Sequence, residues 1–198
     1  MEGSIQQTIR SICHEVGRDP TRLLDVLLET QRRVRGIDDA ALDAISSELG
    51  LPRVDVEGVA TFYSFLTRSP TGEVVIRLAD DLPDWLLGAD QVAEALEDEL
   101  GIRCGETTPD GRFSLLRTSC IGLSDQAPAA LVNEVPVPRL DAEAARRMVR
   151  ALRAAQPGDD LRPVLVDRLG DGKNADPLVA VAVANNLRLP GEVLFGPC

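Results

Sequence analysis

Through the first third of the chain, apolar residues recur at helical spacing, and strand-like runs begin only beyond residue 72. Ser4 is placed to cap a first helix carrying Ile5, Ile9 and Ile12, with Gly17 just past its end. Asp19-Pro20 starts a second, in which Leu23, Leu24, Leu27 and Leu28 make one stripe. Asp38 or Asp39 opens a third with Leu42, Ile45 and Leu49 on one side, closed by Gly50. Leu51-Pro52 begins a fourth that runs to Tyr63 and leads into the aromatic-rich end Ala60-Thr61-Phe62-Tyr63-Ser64-Phe65. Each helix has a single apolar face, so residues 1–70 read as a helical bundle, with Phe62, Tyr63 and Phe65 as core or interface aromatics.

Ser69-Pro70-Thr71-Gly72 is a turn-rich joint, after which the pattern changes. A strand over 73–79, a helix over 89–100, a strand over 113–118, strands within 129–139 and a helix over 141–155 follow. This alternation suits a thioredoxin-like α/β domain over residues 71–157, and the whole chain is predicted to be α+β. On the helix over 89–100, Val92, Ala95 and Leu96 share a core-facing side. Pro157-Gly158-Asp159-Asp160 ends that domain. Beyond it lie the apolar run Val164-Leu165-Val166, a turn over Gly170 to Asn174, a helix opened by Asp176-Pro177, and the strand-like Gly191 to Phe195. Residues 158–198 are too few to fold alone and read as a C-terminal extension that docks on something else.

Composition narrows the partners. The hydrophobic fraction of 44% supports a core, built mainly from aliphatic residues because only six residues are aromatic. A net charge of −11 argues against nucleic acid and against anionic membranes, both of which need a basic face. No apolar run approaches the length of a membrane span and Met1 to Arg10 lacks the apolar segment of a signal peptide, which predicts no membrane insertion and a cytoplasmic location. Cys13, Cys104, Cys120 and Cys198 are far apart with no CxxC, so four free thiols are expected in a reducing compartment. His14 has no nucleophile or orienting group near it in sequence, and the Gly172-Lys173 pair lacks the spacing of a phosphate loop. No catalytic residue and no nucleotide-binding residue is assigned.

Two stretches carry a more specific signal. Leu78 to Ala89 reads L-A-D-D-L-P-D-W-L-L-G-A as it leaves a strand for a helix, and Thr118 to Ala130 reads T-S-C-I-G-L-S-D-Q-A-P-A-A. The pair resembles the two ligand loops of the thioredoxin-like [2Fe-2S] ferredoxins, which include the small ferredoxin-type subunit of respiratory complex I. In that family the first loop carries Cys-x4-Cys and the second Cys-x3-Cys. With Gly88 matched to the family's glycine, the resemblance puts the four ligand positions at Ala79, Asp84, Cys120 and Ser124. The loop I-G-L-S-D-Q, the stretch Arg103 to Glu106 and the tail from Asn186 to Phe195 look most similar to the N-terminal module of the diaphorase subunit of soluble NAD-reducing hydrogenases.

The resemblance implies a subunit of an NAD-linked oxidoreductase, of hydrogenase or formate dehydrogenase type. It implies docking on an FMN- and NADH-binding flavoprotein subunit carried on a separate polypeptide, with further iron-sulfur subunits in the complex. The donor chemistry points away from a cluster in this chain. A [2Fe-2S] cluster takes four deprotonated donors, normally thiolates, and these four positions hold one thiol. The expectations are therefore a vestigial, metal-free site in which Cys120 is a buried thiol, Ser124 bonds a loop backbone, Asp84 caps the helix that follows and Trp85 fills the vacated volume. Two rivals stay open: a [2Fe-2S] electron-transfer subunit using non-standard ligands, and a thiol switch pairing Cys120 with Cys104 or Cys198.

Overall fold

The computed structural model describes residues 2–168. Four helices come first: α1 (Glu2–Glu15), α2 (Leu23–Val34), α3 (Asp39–Leu49) and α4 (Arg53–Phe62). Short polar residues start two of them, as the sequence predicts. Asp19 accepts from the Thr21 N–H at 2.9 Å in the turn before α2, and Asp38 accepts from the Ala41 N–H at 2.8 Å at the start of α3. Gly50 ends α3 in the left-handed region at φ 66°. The apolar faces meet in one cluster whose fully buried members include Ile9, Ile12, Val26, Leu27, Leu42, Ile45 and Val56. Leu28 departs from the expected stripe: it is 45% exposed, because α2 turns that position toward a cleft beside the sheet.

A mixed four-stranded sheet follows, made of β1 (Val74–Ala79), β2 (Phe113–Thr118), β3 (Ala130–Val132) and β4 (Val135–Val137) in the order β2-β1-β3-β4. β1 and β2 are parallel, which requires a crossover, and α5 (Leu82–Leu86) with α6 (Ala89–Leu100) supplies it. β3 and β4 form an antiparallel hairpin against the other side of β1. Alternate residues of β1 separate its two faces. Val74, Ile76 and Leu78 join Val92, Leu96, Met148 and Leu152 in a core between the sheet, α6 and α7 (Ala142–Ala154). Val75 and Arg77 face the opposite way, toward the helical bundle. All six β1 residues are buried as a result. This is the predicted α+β architecture: N-terminal helices, then a thioredoxin-like arrangement of sheet and helices.

The joint between bundle and sheet is held closely. Thr71 donates through its N–H and its hydroxyl to the Arg35 carbonyl, and Gly72 donates to the Ser114 hydroxyl at 2.8 Å. A Cβ on Gly72 would lie 2.8 Å from the Arg112 carbonyl carbon and oxygen, so only glycine fits there. Both sheet edges are blunted. Gly105 donates to the Leu115 carbonyl and the Leu115 N–H donates to Glu106, which covers the outer side of β2, while β4 carries Pro136. Past Pro157, α8 (Leu161–Arg168) packs on α7 and β4, with Leu165 in the core at 1% exposure. Sequence patterning shows that stretch only as a short apolar run, since Pro163 sits in the first turn, where a missing N–H costs nothing. The elements expected beyond residue 168, and Cys198, lie outside the described residues.

Candidate functional site

The parallel strands β1 and β2 end side by side, with Ala79 opposite Thr118. The loops that leave them bring the expected positions to one corner. Ala79 is buried at the end of β1, and its N–H donates to the Ala129 carbonyl at 2.9 Å. Asp80 donates from its N–H to the Thr118 carbonyl. Residues 119–129 fold back across the strand ends through a short turn over Ser124–Gln126.

The polar side chains here satisfy one another. Asp84, 1% exposed, accepts from the Ala129 N–H at 2.9 Å. The Ser124 hydroxyl donates to Asp81 Oδ2 at 2.8 Å and lies 3.3 Å from Cys120 Sγ. A hydroxyl has one proton to donate, and here it is directed to the Asp81 carboxylate. The Cys120 thiol is then the donor toward Ser124 Oγ, while its sulfur accepts from the Gly122 N–H at 3.3 Å. Burial pushes the Asp84 carboxyl up to about 6, helped by hydrogen bonding to Asp81. The same contact, followed by the Ser124 hydrogen bond, holds Asp81 below the usual carboxylate range. The pair shares one proton most readily in the mildly acidic range.

Four expectations change in this light. Asp84 does not cap a helix: Asp81 is the N-cap of α5, accepting from the Asp84 N–H, and the Asp81-Leu82-Pro83 sequence is the signal for it. Ser124 bonds side chains rather than loop backbone. Cys120 is exposed rather than buried. Trp85 fills no interior volume; at 59% exposure it points outward, because the buried position of the short helix is taken by Asp84.

Trp85 is not alone. Leu82, Leu86 and Leu87 are between 62% and 69% exposed on the same turn. At the end of α4, Phe62 is 79% and Tyr63 40% exposed, their rings meeting edge to face at 5.0 Å between centroids. Thr118 donates to the Ser64 hydroxyl at 3.2 Å, which ties the end of α4 to the same strand ends. Sequence reasoning found these aromatics but not their exposure, nor the link from Ser64 to the strand ends.

The donor set does not suit a [2Fe-2S] cluster. The four positions present a methyl group, a buried carboxylate engaged by a backbone N–H, a hydroxyl engaged by Asp81, and one thiol. Among the described residues no group of three or more His, Cys, Asp or Glu side chains is placed to hold a metal ion. The other two described thiols lie elsewhere: Cys13 is buried, which pushes its pKa up to about 11, and Cys104 is half-buried and likewise raised by burial.

Comparison with known proteins gives the lineage. The family profile described as thioredoxin-like [2Fe-2S] ferredoxin matches residues 9–153. The chain is 35% identical over 188 residues to the NAD-reducing hydrogenase HoxS subunit alpha of Cupriavidus necator, covering 94% of this chain and 30% of that one. It is 41% identical over 127 residues to a subunit of the NADH-quinone oxidoreductase of Pseudomonas aeruginosa, covering 63% of this chain and 76% of that one. Among solved structures, an air-oxidized NAD+-reducing [NiFe]-hydrogenase superposes with a TM-score of 0.61 at 32% identity, over 75% of this chain and 25% of that one. The chain belongs to the thioredoxin-like [2Fe-2S] ferredoxin family.

Proposed function

We propose that this chain is a cluster-free accessory subunit of an NAD-linked oxidoreductase of hydrogenase or formate dehydrogenase type. Its role is to dock on the FMN- and NADH-binding flavoprotein subunit and to support that site, while FMN, NAD and the iron-sulfur clusters belong to partner subunits. The observation that carries the reading is the corner at the strand ends. Its polar groups bond one another where the family's cluster would need four thiolates, and exposed apolar residues on α5 and α4 flank it. The similarity to subunits of an NAD-reducing hydrogenase and of an NADH-quinone oxidoreductase supports the choice of complex. In this reading the extension over residues 158–198 contributes to the docking surface through positions other than the buried Leu165, and the protein works in the cytoplasm.

The test is iron and acid-labile sulfide analysis of the purified chain, alone and co-purified with its flavoprotein. Fewer than about 0.2 iron per chain, with no visible absorption band and no electron paramagnetic resonance signal on reduction, is the expected result. A stoichiometric two irons with two sulfides overturns it and favours electron transfer through non-standard ligands.

A further inference from the structure

Between the helical bundle and the second face of the sheet lies a cleft of about 870 Å³, within the size range of small-molecule sites. Its apolar surface comes from Val75, Leu131 and Val135 on the sheet and from Leu28 and Phe65 on the bundle. Arg77 is set among them from the middle of β1, only 7% exposed. One of its terminal nitrogens donates to the Phe65 carbonyl at 3.2 Å, and the guanidinium lies 5.9 Å from the Phe65 ring centre. Its Nε–H is enclosed and has no partner among the described residues. No carboxylate of the described residues pairs with it, and burial lowers its pKa without compensation. The surface arginines behave differently: Arg33, Arg68, Arg117 and Arg150 all hold carboxylates. A buried cation that lacks a counter-charge and borders a cleft is where an anion gains most.

We propose that this cleft binds a small organic monocarboxylate, whose carboxylate meets Arg77 and whose apolar body lies against Val75, Leu131 and Phe65. The charge distribution selects that class. Glu29, Glu73, Glu134, Asp159 and Asp160 also border the cleft and outnumber Arg32, Arg35 and Arg162 on its rim, an acidic balance that disfavours a polyanion such as a nucleotide. Several of these are already engaged: Glu29 by Arg32 and Arg33, Glu73 by the Gly158 N–H, Asp159 by the Gln156 N–H. A single negative charge on an apolar body reaches the buried Arg77, which no carboxylate of the described residues pairs with, at the least repulsion. The site is separate from the strand-end corner, so it stands or falls independently of the cluster-free reading.

Benzoate is a suitable probe, with benzamide as its neutral counterpart, titrated into the full-length 15N-labelled chain in low-chloride buffer. Benzoate is expected to shift the Arg77 Nε–H resonance and the amides of Val75, Leu131 and Asn133 saturably, with benzamide at least about tenfold weaker. Arg77→Met, provided its spectrum shows a folded chain, is expected to weaken benzoate by a similar factor. The wild-type contrast decides the matter whether or not that variant folds. Equal responses to the two probes, shifts confined to other regions, or no saturable response would overturn the assignment.

Discussion

Asp84 illustrates how one residue type answers to its surroundings. Burial, helped by the Asp81 hydrogen bond, pushes its carboxyl up to about 6 in the folded chain, against an ordinary aspartate value of about 3.9. The stabilisation associated with its neutral form is therefore complete below about pH 4 and is lost as pH rises through about 6. Asp81 works in the opposite sense, its contribution being lost as pH falls below the ordinary carboxylate range. Asp84→Asn keeps an oxygen for the Ala129 N–H and removes the titration. Thermal unfolding at intervals between pH 4 and pH 7 should show the wild type losing stability relative to Asp84→Asn as pH rises. Parallel curves for the two proteins would count against a buried, proton-sharing pair. The thiols separate as sharply. Cys120 is expected to be alkylated by iodoacetamide in the native protein and Cys13 only after unfolding, as peptide mapping after brief labelling would report. The identities of Cys120 and Ser124 are plain in the sequence, but their exposure and their link to Asp81 are not. Those depend on a loop folding back over strands about forty residues upstream.

Helices and strands are the most legible level of this chain. Capping aspartates, terminal glycines and apolar spacing mark α1 to α4, α6 and α7 within a few residues, because each signal acts over one or two turns. Asp38→Ala tests one such signal and should cost about 1 kcal/mol, read as a lower midpoint in urea. The short helix α5 is the instructive case. Its five residues cannot show a helical period, so nothing local says which side is inside, and Trp85 points outward against expectation. Trp85→Asp and Leu86→Asp are accordingly predicted to leave the unfolding temperature of the isolated chain within about 2 °C, since both sites are solvated. Co-purification with the flavoprotein should nevertheless fall at least about tenfold if α5 belongs to the interface. Unchanged co-purification would move the interface elsewhere.

For the whole molecule, the contact between bundle and sheet matters more than either part. β1 is buried along its whole length, with Arg77 tied to the Phe65 carbonyl on the face turned toward the bundle, and Gly72 sits where the chain passes tightly against Arg112. Gly72→Ala is expected to destabilise by about 1–3 kcal/mol, since backbone rather than a flexible side chain blocks the added methyl. Calorimetry would detect this as a lower transition temperature. The sequence marks Gly72 as part of a turn but not as a point of close approach, for the neighbour lies about forty residues away. Buried Arg77 was equally hidden, because a lone arginine in a strand ordinarily reads as a solvated position.

The way both sides of the sheet are finished has a consequence for assembly. An open strand would let another chain extend the ladder through backbone bonds, with little regard to sequence. Here the Gly105 to Glu106 segment occupies the outer side of β2, and Pro136 removes a donor from β4. Strand-by-strand stacking of copies on the described sheet is therefore discouraged at both ends.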